Sequence, residues 1–225
     1  MSKHTHNFYK ECDMKRQVKP TWQWFPAVIG VVFGVIAVAG PAYGDTFRFK
    51  GIFADALFES IDETQCVSTS VSVFAVDAES KLIDPPGPPS VPLAPEAFLD
   101  ISQFDSCTST QLVDAFCAAP LADGELQVAG PDLASATLNT TLGCFDSVSG
   151  SPFDVSVDLC WVAVGDLNRD SFTFREPPFV LILAAHGTSR FADASGSVSD
   201  GITDFTPELT ENAFISTSKS VEVIH

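Results

Sequence analysis

The side chains able to do chemistry in this sequence are few in type, and most are carboxylates. Beyond residue 44 only two histidines occur, His186 and His225. A serine, threonine or cysteine nucleophile needs a neighbouring base to activate it. His186 follows an apolar run and precedes Gly187, which reads as a histidine at a strand end rather than a general base. No Gly-x-Ser-x-Gly elbow, phosphate-cradling loop or dinucleotide fingerprint occurs. No catalytic or cofactor-binding residue is therefore expected.

Two groups of acids invite a metal reading. Asp166, Asn168 and Asp170 place oxygen ligands at alternate positions, as at the start of a calcium loop. Ser171 stands where such a loop has glycine, Pro177 stands where it has a bidentate glutamate, and no flanking helices are visible. A solvated turn is the plainer reading. Asp200-Gly201 with Asp204 is a weaker candidate. Paired carboxylates can hydrolyse glycosides, but 27 acidic residues beyond residue 44 make coincidental pairs certain. Asn139-Thr140-Thr141 is a glycosylation sequon, meaningful in a host that glycosylates.

The cysteines are Cys12, Cys66, Cys107, Cys117, Cys144 and Cys160. They form no Cys-x-x-Cys motif or Cys/His cluster, which argues against zinc. Cys12 lies in the N-terminal segment, leaving five, enough for two disulfides with one thiol over. Connectivity is open. If Cys107 to Cys117 is one strand, its ends stand roughly 33 Å apart, too far for a bond whose Cα atoms lie within about 7 Å.

The elements that must position these groups read as strands. Val67, Thr69, Val71, Val73 and Ala75 alternate with Ser68, Ser70 and Ser72, the period of a half-buried strand. Asp62-Glu63-Thr64-Gln65 precedes it as a turn. Residues 84–95 hold six prolines and read as a loop. A hairpin follows over Ala97–Cys117, turning at Asp105-Ser106. Its Cys107-Thr108-Ser109-Thr110 echoes Cys66-Val67-Ser68-Thr69 at an offset of 41 residues. Leu121–Val128 holds a short strand at most. Ala136–Phe145 and Phe153–Val164 pair across Ser149-Gly150-Ser151-Pro152, with Trp161 on the apolar face as a core residue. Phe179–Ala185 reads as a fully covered strand, with Phe191–Val198 folding back onto it and Ala213–Val223 last. Pro207–Asn212 leaves room for one helical turn. The expected fold class is all-β: an antiparallel sandwich, or a barrel-like sandwich, built of hairpins.

The first 44 residues are organised differently. Five basic residues precede an apolar run from Phe25 to Ala39, and Gly40-Pro41-Ala42-Tyr43-Gly44 follows with small residues. This is the form of a secretory signal peptide cut after Ala42 or Gly44. An uncleaved anchor is the rival, weakened by its glycines and proline. Residues 1–44 are thus expected to be a signal peptide and 45–225 a single β-sandwich domain, secreted or periplasmic.

Charge bounds the partners. The chain has 12 basic and 29 acidic residues; without the 5 basic and 2 acidic of the leader, 7 and 27 remain, a net charge of −20. Seven basic residues scattered along such a chain argue against nucleic acid and against anionic membrane surfaces. Solubility explains the charge; attraction for a cationic ligand is the sharper alternative.

Three stretches resemble exported bacterial all-β proteins: Cys66-Val67-Ser68-Thr69-Ser70-Val71-Ser72-Val73-Phe74-Ala75, Val157-Asp158-Leu159-Cys160-Trp161 with Gly165, and Arg190-Phe191-Ala192-Asp193-Ala194-Ser195-Gly196-Ser197-Val198. The likeness covers most of the chain beyond the leader. It implies export and an all-β fold and transfers no catalytic residue. A threonine stands in those proteins where this chain has Cys160, so the likeness implies no disulfide there. The expectation is a non-catalytic, surface-associated or ligand-binding module for a cationic or glycan partner. The alternatives are a carboxylate-based glycan hydrolase and a calcium-stabilised domain.

Overall fold

Alternation of apolar and polar residues makes the strands, and the pairing of distant strands makes a ring. The structure is a computed structural model describing residues 46–84, 91–176, 181–205 and 210–223. The expected signal peptide and residues 85–90 of the proline-rich stretch lie outside them, as does most of the expected helical turn. The strands are β1 (Thr46–Asp62), β2 (Val67–Asp84), β3 (Val91–Asp105), β4 (Thr110–Pro120) and β5 (Leu126–Ala129), followed by β6 (Ser135–Asp146), β7 (Ser151–Ala163), β8 (Asn168–Glu176), β9 (Leu181–Ser199) and β10 (Thr210–Val223). No helix occurs among the described residues, so the all-β fold class holds.

All pairings are antiparallel. The order is β10-β1-β2-β3-β4-β6-β7-β9-β8, and β10 also pairs with β9. Strands β1, β2, β3, β4, β6, β7, β9 and β10 therefore close on themselves, while β5 joins β6. One edge of β9 carries β7 beside residues 192–199 and β8 beside residues 181–189; β10 runs along the other. These strands belong to a compact unit spanning Ala42–His225.

The inner face is apolar because every second residue is. Ala54, Ala56, Val71, Val73, Leu99 and Ile215 are fully buried. Burying Val71 and Val73 contributes roughly 1.5–3 kcal/mol each. Trp161 sits in this core, its Nε1 donating to the Asp55 carbonyl oxygen at 2.7 Å. Two disulfides stitch neighbouring strands: Cys66–Cys107 joins two hairpin tips, and Cys117–Cys144 bridges β4 and β6. Such bonds belong to an oxidising environment. The expected leftover thiol is not seen, since no described cysteine is free.

Three hairpin tips share one device. Asp62, Asp105 and Asp146 each accept backbone N–H groups two and three residues on. Four residues on, Cys66, Ser109 and Gly150 take positive φ. The sequence echo at an offset of 41 is corrected: the turns repeat from Asp62 to Asp105, so Cys66, the fifth residue of its turn, corresponds to Ser109, and Cys107 is the third residue of its own. Asp146 also accepts the Asp114 N–H at 3.0 Å. Its pKa is pushed down to about 2, foremost by the Ser149 hydroxyl.

Three sequence expectations need correction. Pro92 and Pro95 belong to β3, not to a loop. There β3 pairs with β2 near the end of the β3–β4 ladder, whose last pair is Glu96 with Pro120 and beyond which the Leu121 N–H donates to the Pro95 carbonyl oxygen at 2.7 Å; proline, lacking a ladder donor, is tolerated at such a margin. Residues 181–199 are one strand rather than a hairpin around Gly187, because β10 pairs continuously past that glycine. Residues 168–170 are strand, not loop.

On the outer face, phenylalanines line up across neighbouring strands. Phe53, Phe74, Phe98 and Phe116 follow one another at centroid spacings of 6.0–6.3 Å, with ring planes about 30° apart. Asp55 lies in this row, opposite Phe74 on one side and Phe214 on the other. Burial there pushes its pKa up to about 6. Because the folded pKa exceeds the unfolded one, this group's contribution is complete below about pH 4 and is lost as pH rises through about 6. Asp55→Asn should therefore gain about 2 kcal/mol over the parent at pH 7.5, allowing for partial exposure, and roughly nothing at pH 4. Urea titrations of both proteins at the two pH values check this; a gain that does not change with pH would refute it.

Candidate functional site

The cationic side chains, dispersed in sequence, converge on the sheet. Along β1 the core face runs Ala56, Ala54, Ile52, and the same alternation carries it on to Lys50 and Arg48. The register extends the face sideways. Lys50 pairs with Glu79 on β2 and with Lys219 on β10, Lys219 with His186 on β9, and His186 with Ser171 on β8. One step toward the β1 start, Arg48 lies between Lys81 and Val221. One step the other way, Thr188 pairs with both Thr217 and Arg169. A face that is apolar inside the ring thus becomes polar where β7 gives way to β8 as the neighbour of β9.

Arg48, Lys50, Lys81, Lys219 and His186 line a cavity of about 420 Å³ with Glu79, Ser220 and Val221. A second cavity of about 240 Å³ is lined by Arg169, Asp170, Ser171, His186, Gly187 and Thr188. Five of the seven lysines and arginines beyond residue 44 therefore line two cavities that share His186. The scattered arrangement expected from sequence is corrected: the residues are far apart along the chain and adjacent across the strands.

The positive charge is only partly compensated. Lys50 and Lys219 are direct cross-strand partners, and like charges so placed destabilise a sheet. Among the described residues one carboxylate lines the larger cavity: Glu79, whose Oε1 is 3.8 Å from Lys50 Nζ with both side chains about half exposed. Such a pair contributes at most about 1 kcal/mol. In a chain with 20 surplus negative charges beyond residue 44, a cavity whose described lining has four permanent cations and one acid is set up to receive negative charge.

The comparisons with known proteins name no relative. No family model matches the chain, and no curated protein matches it. Among solved structures, the enduracididine biosynthesis enzyme MppR complexed with pyruvate aligns over 84% of this chain and 91% of its own, at 11% identity and a TM-score of 0.15. The same enzyme with the condensation product of pyruvate and imidazole 4-carboxaldehyde gives 10% identity and the same score. That score is too low to relate the folds.

The residues singled out in the sequence are not brought together. Asp166 is exposed in the β7–β8 connection, while Asn168 and Asp170 stand on extended β8, roughly 6.8 Å apart along the strand. No cluster of three His, Cys, Asp or Glu able to hold a metal ion occurs among the described residues. The Asp200 carboxylate accepts the N–H groups of Ile202 and Thr203 in a turn. His186 is exposed within β9 rather than at its end. Of the two other basic residues, Arg190 is used structurally: it donates to the carbonyls of Gly165 and Asp132 at 2.7 and 3.2 Å. The carboxyls shifted upward, Asp55 and Asp100, line neither cavity. No helix among the described residues is long and apolar enough to cross a membrane.

Proposed function

We propose that this protein is a non-catalytic binding module of the secreted or periplasmic space, and that the β1–β2–β10 cationic cavity is where its ligand sits. The observation that carries the reading is the gathering of Arg48, Lys50, Lys81 and Lys219 around one carboxylate. Repulsion between neighbouring lysines is relieved when an anion binds, so the ligand presents negative charge to this cavity. The two disulfides and the acidic exterior suit an exported protein. Long nucleic acid and anionic membranes remain disfavoured, because the cavity is local and the rest of the surface repels them.

The test is thermal unfolding of residues 45–225 at low ionic strength, with inorganic phosphate as the probe and chloride at matched ionic strength as the control. Phosphate at 100 times its Kd stabilises by about 2.7 kcal/mol, a rise of roughly 5–10 °C for a chain of this size. The Lys50→Gln/Lys219→Gln variant should lose that rise. Without phosphate it should melt at or slightly above the parent, because a like-charge pair has gone. A phosphate response equal in parent and variant would overturn the reading.

A second reading, a carboxylate-based glycan hydrolase, draws on the Asp55 carboxyl with its pKa near 6, where a general acid is useful. Asp55 lies among phenylalanines on the outer face. Turnover of a glycan panel that Asp55→Asn abolishes would favour it over the binding module.

A further inference from the structure

We propose that the occupant of the cationic face is a short acidic oligosaccharide laid across five strands, from β2 to β8. This rests on the anion-binding reading above and specifies the ligand. The first argument is length. The two cavities adjoin at His186, and the polar row Glu79–Lys50–Lys219–His186–Ser171 crosses four strand spacings, roughly 19 Å at about 4.8 Å each. A small ion fills the Lys50–Lys219 end and leaves Arg169, on the far strand, without a role. A linear ligand with regularly repeated charges engages Arg48, Lys50 and Lys219 at one end and Arg169 at the other.

The second argument is chemical. The cations are interleaved with acceptors: Glu79 and Ser220 in the larger cavity, Asp170, Ser171 and Thr188 in the smaller. A carboxylate among the cations repels a uniformly charged chain such as polyphosphate. It accepts readily from the hydroxyls of a sugar, whose carboxylate or sulfate pairs with the lysines and arginines. A single-stranded nucleic acid wants aromatic side chains on which to stack its bases, and none of the described residues lining either cavity is aromatic. The outer phenylalanine row offers no substitute for a sugar platform, because its rings are stacked toward one another rather than presented flat. The net charge of −20 beyond the leader limits the ligand to a short segment.

The experiment is calorimetric titration of residues 45–225 at low ionic strength with galacturonate oligomers of one to five units. Neutral galactose oligomers, polyphosphate and oligo-deoxythymidylate serve as comparison probes. Affinity should rise at least tenfold from monomer to tetramer. Arg169→Ala should weaken the tetramer severalfold and leave the monomer unchanged, whereas Lys50→Gln/Lys219→Gln should weaken both. Affinity flat with length, equal loss on all oligomers in Arg169→Ala, or tighter binding of polyphosphate or oligonucleotide would overturn the oligosaccharide. If uronates fail this way while phosphate still stabilises the parent and not the double variant, the ligand assignment falls and the anion site stands. If the phosphate response is absent too, both fall.

Discussion

Gly196→Ala should cost about 4 kcal/mol or more and lower the melting temperature by roughly 10 °C. Gly196 sits in β9 at φ +135°, a conformation L side chains rarely adopt. Added there, a Cβ would collide with the carbonyl oxygen of Asp158, and would meet the Asp158 carbonyl carbon and Leu159 Cα at 3.0 Å. These are backbone atoms of the paired strand β7, where Leu159 faces Gly196 directly. They cannot yield without opening the β7–β9 ladder, one of the ladders that make up the ring. Gly143→Ala is the control. Its Cβ would meet only Asp154 Oδ1, at 4.0 Å, with no positive φ. Alanine there should be neutral or stabilise by up to about 1 kcal/mol through the unfolded chain. Chemical denaturation of both variants decides the matter; equal stabilities would show that the close approach at Gly196 is not a constraint.

The second large effect is expected at Trp161. It is the largest fully buried side chain, and its indole N–H reaches across the core from β7 to the Asp55 carbonyl on β1. Trp161→Ala removes the packing and the hydrogen bond together, for about 3–5 kcal/mol. Trp161→Phe keeps most of the packing and leaves the carbonyl without its donor, for about 1–3 kcal/mol. Trp161 is the only tryptophan beyond residue 44, so emission from residues 45–225 reports on it alone. The parent should emit in the blue when folded and shift to the red as urea unfolds it. The two variants, silent by fluorescence, are followed by circular dichroism. A phenylalanine variant as stable as the parent would mean that the indole hydrogen bond contributes nothing.

Two results would be informative in combination. Removing the Lys50–Lys219 charge pair is expected to leave unliganded stability unchanged or slightly raised, while Gly196 and Trp161 substitutions lower it sharply. A protein whose packing is intolerant and whose cationic face is dispensable for folding keeps that face for another reason, and ligand binding is the reading that the cavity supports.

Strand existence was legible in the chain because alternation is a local property. Val67–Ala75 and Val155–Ala163 each display their buried face within a dozen residues, and Trp161 could be assigned to the core from Val157 and Leu159 alone. The turns at Asp62 and Asp105 were equally local, since an aspartate side chain closes them onto N–H groups two and three residues away; the third, read at Ser149–Pro152, opens earlier at Asp146 and β7 already begins at Ser151. What needed the folded chain was pairing. Gly187 read as a turn because a glycine beside a histidine after an apolar run ordinarily is one; only β10, running alongside, keeps that segment extended. The ring, rather than one open sheet, depends on the β9–β10 ladder between segments that show nothing of their partnership in composition. The cationic face was illegible for the same reason: Arg48, Lys81, His186 and Lys219 are up to 171 residues apart, and each alone is an ordinary exposed residue. The period of two says which way a side chain points, whereas register between distant strands decides which side chains meet, and it was register that made a site.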